Sequence, residues 1–327
     1  MANSQTAHKE QQLAQVIRLL GDGDYHSGQK IADELGVSRA YVWKLIQQLQ
    51  DYGLELESVS GKGYVWQSPS ALINEESLRQ TLAGFGLSLQ LHLTTDSTNQ
   101  RLKENFRDKC LVTAEYQTAG RGRRGRNWQS PLATNLYFSY GWKTELPVQQ
   151  LGGLSLLVGI SIVQALETLG FSGLKLKWPN DIRYQQKKLA GILVELTGDA
   201  DGDLEVIIGV GLNVNMQTEQ GSIEQDWISL AQIQQHPLER EQLLAAIMQS
   251  LVGNLSLFEA NGFQFFAKAW NQYDEVINTQ VTIHQAKDDI DGIAKGVDLS
   301  GALVLDVDGE LQSIFAGDVS LRARVKS

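Results

Sequence analysis

Residues 120–126 read Gly-Arg-Gly-Arg-Arg-Gly-Arg, four arginines and three glycines in seven positions, followed by Asn127 and Trp128. No packed core accommodates this composition. Glycine loses more backbone freedom on folding than any other residue, and guanidinium groups this close repel one another. The segment is therefore a surface loop, expected to stay mobile until an anion neutralises it. Each guanidinium offers a planar fork of donors that matches phosphate or carboxylate, and glycines let the backbone approach a ligand. Two readings are open: a solvated Arg/Gly loop, of which an RGG-like nucleic-acid segment is one form, or a substrate loop. The flanks favour the second, because residues 111–116 and 135–140 both read as strands and hold the loop inside a folded domain.

At 327 residues the chain is long enough for two or three domains with ample core. There is no unbroken apolar run of roughly 18 residues, so no membrane association is expected. The N-terminus is polar and lacks an apolar signal core, and cytoplasmic residence follows as the expectation. Cys110 is the single cysteine, which excludes an internal disulfide and a thiolate metal cluster. The five histidines have no metal-ligand spacing. A net charge of −10 argues against nonspecific coating of nucleic acid, so any DNA binding must come from a local surface.

Residues 11–66 form a first unit. Leu13, Val16, Ile17, Leu19 and Leu20 have helical spacing. Ser27 or Gly28 opens a short helix that Gly36 stops, and Ser38 is a good N-cap for a longer helix over 39–49. Short helix, glycine turn and long helix make a helix-turn-helix. Val42, Leu45, Ile46 and Leu49 should pack inward. Ser38, Arg39, Tyr41, Trp43, Lys44 and Gln48 are left on or near a face able to reach bases and phosphates in a major groove. Trp43 fits either the core or a groove contact. A hairpin over 54–66, with Lys62 in its glycine-rich tip, completes a winged helix. Such units also serve as protein-docking modules, and this one carries six Lys/Arg against eight Asp/Glu over residues 1–66. The order of elements favours DNA.

Beyond a polar linker, residues 75–82 read as a helix and 89–93 as a strand. Ser97, Thr98 and Asn99 open a helix running through Phe106, and their spacing alone favours ordinary capping. An apolar helix spans 151–169. Strands follow at 174–178, 189–196 and 205–214, with Asn180 and Asp181 in a turn after the first. Short connections suggest a mixed, largely antiparallel sheet backed by helices. Helices are expected at 240–258 and 263–273, then short alternating strands at 281–283, 291–294, 302–305 and 311–314, reading as a small β-barrel. The fold class is α+β.

Several segments together carry a specific resemblance: Gly-Arg-Gly-Arg-Arg-Gly-Arg at 120–126, Lys-Trp-Pro-Asn-Asp at 177–181, Lys-Leu-Ala-Gly-Ile-Leu-Val-Glu at 188–195, Asp-Ser-Thr-Asn at 96–99 and Gly-Val-Gly-Leu-Asn at 209–213. The chain resembles, over nearly its whole length, the bifunctional biotin–protein ligases that double as biotin-operon repressors. The resemblance implies a winged helix-turn-helix over 1–67, a class II synthetase-like mixed-sheet ligase domain over 68–275 and an SH3-like β-barrel over 276–327. It implies ATP, biotin and Mg²⁺, with biotinyl-5′-AMP formed first and biotin then passed to a lysine of the biotin carboxyl carrier protein of acetyl-CoA carboxylase. Ser97, Thr98, Asn99 and Gln117 would bind the ureido head, in addition to or in place of capping. Arg121, Gly122, Gly191, Arg123 and Lys188 would complete the biotin site. Arg124, Arg126, Trp128, Asn180, Asn213 and Trp227 would take the nucleotide. Arg123, Lys188 and Asp181 would be catalytic, with Asp181 and Asn213 near the metal. The resemblance further implies a homodimer promoted by biotinyl-AMP that binds a two-fold operator. The aromatic Tyr41 and Trp43 depart from what the family suggests and leave the operator sequence open. The rivals are a monofunctional ligase with a non-repressing winged helix, a lipoate–protein ligase, and a ligand-sensing transcription factor without chemistry.

Overall fold

The computed structural model describes residues 2–67, 70–197, 203–217, 225–284, 289–315 and 320–323. The chain opens with helices α1 (Ala2–Leu20), α2 (Gly28–Leu35) and α3 (Arg39–Asp51), then strands β1 (Leu56–Val59) and β2 (Gly63–Trp66). Ser27 and Ser38 cap α2 and α3 as their positions predict, accepting from the amides of Lys30 and Tyr41. Gly36 ends α2 in the left-handed region at φ 66°. Leu13, Val16, Ile17, Leu20, Ile31, Val42, Leu45, Ile46 and Leu49 close the core between the helices. α1 begins well before its first apolar residue, because Ala, Gln, Lys and Glu sustain a helix without packing. At the wing, Gly63 has φ 111°, and a Cβ there would lie 2.1 Å from the His26 carbonyl oxygen. Its amide neighbour Tyr64 exchanges two backbone bonds with His26, so only glycine lets the wing close on α2.

The central region contains α4 (Glu75–Leu82), β3 (Ser88–Thr95), α5 (Thr98–Glu104), β4 (Cys110–Gln117), β5 (Leu136–Thr144), α6 (Leu154–Thr168), β6 (Leu174–Lys177), β7 (Asp181–Tyr184), β8 (Lys187–Thr197), β9 (Leu204–Leu212), α7 (Leu230–Gln234), α8 (Arg240–Asn261) and α9 (Ala267–Tyr273). Its seven strands form one sheet in the order β3-β4-β5-β9-β8-β7-β6. Only β3 and β4 run parallel, joined by α5 as crossover. The sheet is thus mixed and largely antiparallel, as the short connections suggest. β7 is an addition to the elements expected. It pairs with β6 across a three-residue turn, and Gln185 and Gln186, both at positive φ, turn it into β8.

One face of the sheet is apolar and covered by α6 and α8. The segments Val148–Thr168 and Arg240–Asn261 are long and apolar enough by composition to span a bilayer. Here they pack on the sheet, and eleven of the fifteen α6 residues are buried. The opposite face carries α5, whose Leu102 packs on Cys110, Val112 and Ile207, and beyond α5 it is open to polar groups. Cys110 is a small buried residue.

A buried ion pair ties these layers together. Arg240, on α8, places Nη1 2.6 Å from Glu115 Oε2 on β4, with both side chains 2–3% exposed. Arg240 also donates to the carbonyls of Ala71 and Asn135, and Glu115 Oε1 accepts from the Ile73 amide. The winged helix docks beside this knot. Tyr52 stacks on Tyr116 with ring centroids 4.3 Å apart, the Leu132 amide donates to the Tyr52 carbonyl, and Leu132 and Ala133 enter the winged-helix core.

The last region contains β10 (Gln280–His284), β11 (Asp289–Val297), β12 (Leu303–Val307), β13 (Glu310–Ile314) and β14 (Ser320–Ala323), an antiparallel sheet ordered β13-β12-β11-β10-β14. Four of these strands match the alternating stretches expected, and β14 is the fifth.

At the junction of α9 with β6, Asp274 is 3% exposed and its Oδ2 lacks a hydrogen-bond partner. Burial pushes its pKa up to about 6. Between pH 4 and 6 the folded state binds more protons than the unfolded state, so stability falls as pH rises through that window and levels off above it. The full swing is about 3 kcal/mol. Asp274→Asn keeps the bond to the Val276 amide and should flatten this slope, checked by urea unfolding at pH 4 to 7.

Candidate active site

The open face of the sheet owes its shape to glycine. Gly191 on β8 pairs with Gly211 on β9, and cross-strand partners share a face. The Trp128 indole lies flat on both: a Cβ at Gly211 would stand 2.3 Å from its Cε2, and one at Gly191 2.9 Å from its Cζ3. Trp128 Nε1 is buried with no hydrogen-bond partner. Two residues along β9, Gly209 makes room for Asn99, whose Oδ1 would sit 2.1 Å from an added Cβ.

A continuous polar network lines this floor. Gln117 Oε1 accepts from the Thr98 amide at 2.9 Å, and Gln117 Nε2 donates to Ser130 Oγ at 2.9 Å. Ser139 Oγ lies 2.8 Å from Thr98 Oγ1 and donates to Asn99 Oδ1 at 2.5 Å. Asn99 Nδ2 donates to Glu195 Oε2 at 2.7 Å. These residues are buried or nearly so. The capping expected of Ser97 is not what its side chain does. Ser97 occupies the N-cap position without a side-chain bond, and Gln117 satisfies the Thr98 amide instead, because β4 runs directly beneath the start of α5. Asn99 is held on three sides by protein, which makes it a rigid part of the wall. Ser130, Ser139 and Glu195 are members that spacing did not single out. Glu195 had one signal, an acid inside an otherwise apolar strand.

The arginine loop is folded back on itself. Arg121 bridges to Asn127, the Gly122 amide donates to the Arg126 carbonyl at 2.6 Å, and the Trp128 amide donates to the Gly120 carbonyl at 2.8 Å. Arg124 takes the left-handed conformation at φ 56° to make the turn. These bonds, which glycine permits at 120, 122 and 125, give the segment a defined turn. The four arginines point apart. Arg121 reaches Gln100, Arg124 and Arg126 are exposed, and Arg123 turns inward to Asn180 Oδ1 at 3.4 Å. Burial, then the neighbouring Arg124, holds the Arg123 pKa below its ordinary value.

Opposite the loop, Lys188 Nζ pairs with Asp181 Oδ1 at 3.0 Å and lies 5.4 Å from the Trp128 ring centroid. Their side chains are 14% and 20% exposed. A register shift between Ile182 and Arg183 brings Lys188 onto this face. Asn180 Nδ2 and its carbonyl both bond the Ile192 backbone, which fixes the turn after β6. Asn213 donates to the carbonyls of Lys188 and Ile228, and Trp227 bridges Lys188 through the flanking backbone. The structure therefore brings Thr98, Asn99, Gln117, Arg123, Trp128, Asn180, Asp181, Lys188, Gly191 and Asn213 to one face. It leaves Arg121, Arg124 and Arg126 at the rim. No cluster of three or more His, Cys, Asp or Glu fit for a metal occurs among the described residues. Asp181 Oδ1 is paired with Lys188 and Asn213 is held through Nδ2, and neither engagement occupies Asp181 Oδ2 or Asn213 Oδ1, the atoms a magnesium ion would use.

On the winged helix, Ser38, Arg39, Lys44 and Lys62 are exposed, and Trp43 is 55% exposed, which excludes it from the core. Tyr41 departs from the expected face: it is half-buried and donates its hydroxyl to Gln12 on α1. Gln48 likewise turns back to the Tyr52 hydroxyl.

With this geometry established, the comparisons with known proteins are specific. Residues 91–213 match a profile described as the biotin/lipoate A/B protein ligase family, residues 12–65 an HTH domain, and residues 276–322 a biotin protein ligase C terminal domain. The solved biotin protein ligase from Aquifex aeolicus in complex with biotin and ATP superposes with a TM-score of 0.65 at 30% identity, over 72% of this chain and 99% of that one. The fold and site thus define a ligase catalytic domain joined to a helix-turn-helix. Several relatives carry the description bifunctional ligase/repressor BirA. That of Escherichia coli is 39% identical over 95% of this chain and 97% of its own length, and that of Bacillus subtilis is 32% identical over 91% and 94%. The chain belongs to this family of bifunctional ligase/repressors.

Gly211→Ala should lower stability by about 1–3 kcal/mol through collision with the indole. The cost should shrink in a Trp128→Ala background, and a double-mutant cycle from denaturant unfolding checks it.

Proposed function

We propose that this chain is an ATP-dependent biotin–protein ligase and a biotinyl-AMP-responsive repressor of the biotin operon. The observation that carries the ligase reading is the convergence of Arg123, Asn180, Asp181 and Lys188 on the rim of the Gly191–Gly211 floor. A carboxylate and an α-phosphate repel one another, and two cations beside them remove that barrier. In the first step a biotin carboxylate oxygen attacks the α-phosphorus, the bond to the bridging oxygen breaks, and pyrophosphate leaves with the electron pair. Lys188 Nζ and the Arg123 guanidinium neutralise the charge shared between carboxylate and phosphate. In the second step the lysine amine of the carrier protein attacks the acyl carbon and AMP leaves. Asp181 is suited to hold Lys188 in place and to accept the amine's proton. Gln117, Thr98 and Asn99 offer fixed partners for the polar head of biotin, with Ser97 and Gly122 beside them. Trp128 and Trp227 offer faces for adenine, and Arg121, Arg124 and Arg126 a cationic cover. Such preorganised positioning supplies several powers of ten in rate without a covalent enzyme intermediate. Magnesium enters this reading with the triphosphate, beside Asp181 and Asn213.

The same reading divides the chain at 67 and 275 into DNA-binding, catalytic and C-terminal units, supported by the three profile matches. Its partners are the biotin carboxyl carrier protein of acetyl-CoA carboxylase and operator DNA met by Ser38, Arg39, Trp43, Lys44 and Lys62 as a homodimer promoted by biotinyl-AMP. The cytoplasm is its location. The alternative, a monofunctional ligase, predicts no salt-dependent binding to the biotin-operon promoter.

Incubation with biotin, Mg-ATP and a carrier domain should add one biotin to the carrier lysine by mass spectrometry; absence of both biotinylated carrier and free biotinyl-AMP refutes the ligase. Arg123→Gly should release the intermediate into solution. Retention equal to the parent, read by rapid filtration, removes Arg123 from its role.

A further inference from the structure

Lys177 is the first residue of the Lys-Trp-Pro-Asn-Asp segment and has no part in the chemistry above. It is the last residue of β6 and pairs with Asp181 across the three-residue turn. Asp181 pairs with Gly191, and Gly191 with Gly211. Residues opposite one another on adjacent strands project to the same side. Lys177, Asp181, Gly191 and Gly211 therefore form one row across the open face, and Lys177 stands at its outer end. Leu176, one residue before, turns the other way and packs under α6 against Gly159.

The charges around Lys177 do not balance. Three cations (Lys177, Arg183 and Lys188) share this end of the sheet with two carboxylates, Asp181 and Glu275. Asp181 is taken by Lys188 at 3.0 Å and Glu275 by Arg183 at 2.7 Å. Among the described residues no hydrogen bond or ion pair engages the Lys177 ammonium. It is nevertheless half-buried, and burial, then Arg183, pushes its pKa below the ordinary lysine value. A partly desolvated cation with no anion is unfavourable by itself. An incoming polyanion would remove that penalty.

We propose that Lys177 is a catalytic residue of the adenylation step that binds the β- and γ-phosphoryl oxygens of the nucleoside triphosphate. The inference rests on the ligase reading above. The row explains the division of labour. Lys188 and Arg123 sit beside the Trp128 slab, where acyl and α-phosphoryl groups meet. Lys177 lies on the far side of Asp181, where the departing pyrophosphate collects negative charge as the bond to the α-phosphorus breaks. A cation there acts on the leaving group of the first step and on nothing in the second, because acyl transfer expels AMP and no pyrophosphate is present.

The test separates the two half-reactions with the full-length protein. Lys177→Gln should slow biotinyl-AMP formation from biotin and Mg-ATP on the order of a hundredfold. Calorimetric affinity for inorganic pyrophosphate should fall about tenfold or more. Transfer from pre-formed biotinyl-AMP to the carrier domain should stay within about twofold of the parent. Lys177→Arg, which keeps the charge, should recover most of the adenylation rate, which also excludes misfolding as the cause. Parental adenylation and pyrophosphate affinity in Lys177→Gln overturn the proposal. So does an equal loss in both half-reactions, or a loss in transfer alone, which assigns Lys177 to the fold or to the carrier. A parent protein that makes no biotinyl-AMP refutes the ligase reading itself, a distinct outcome.

Discussion

The architecture hangs on one buried ion pair. Arg240 and Glu115 lie 125 residues apart in sequence and meet where four elements converge. Glu115 belongs to β4, Arg240 to α8, and between them they hold the linker carbonyl of Ala71, the Ile73 amide and the Asn135 carbonyl before β5. Next to them, the Asn74 amide at the start of α4 donates to Glu241. A buried charge pair is not a strong source of stability in itself, since desolvation offsets most of the attraction. Its value here is geometric. Every other placement of α8 or the linker leaves a charge stranded in an apolar layer, typically at about 3–5 kcal/mol. That penalty fixes β4 relative to the helices, and β4 carries Gln117 into the site and Tyr116 onto the winged helix.

From this frame the site follows by subtraction. The working face of the sheet is made by side chains that are missing at 191, 209 and 211, so the indole of Trp128 and the amide of Asn99 can lie on bare backbone. Polar groups then surround the floor in order: the Gln117 network on one side, the Asp181–Lys188 pair on the other, and the arginine loop above. The apolar face beneath needs no such detail and is filled by α6 and α8. The two faces are produced by one alternation along the same strands, as Ile192 and Gly191 show next to each other.

Much of this was legible in the sequence. The helices of the winged unit could be placed from apolar spacing and two serine caps, because these are local signals. The strands around the arginine loop were legible for the same reason. What could not be read is what depends on distant pairing. β7 is four residues long and begins at Asp181 directly after a turn, too short and too polar to stand out as a strand. The parallel register of β3 on β4 leaves no mark in either segment. Ser139 and Glu195 belong to the site only because β5, β8 and α5 meet there. Tyr41 had the spacing of an outer residue, but its length lets the hydroxyl reach back to Gln12.

The separation of Arg240 from Glu115 also sets an order in time. The winged unit draws its helices and wing from the first 66 residues, and Tyr116, Leu132 and Ala133 reach its core soon afterwards in the chain. The ligase sheet is completed later, because Glu115 waits for a partner that emerges 125 residues later. At about 5–20 residues per second this is a delay of roughly 6 to 25 s. During that interval the nascent chain holds an unmatched carboxylate beside an unfilled apolar face. A ribosome stalled short of residue 240 would leave the winged helix attached to a sheet that lacks the partner of Glu115.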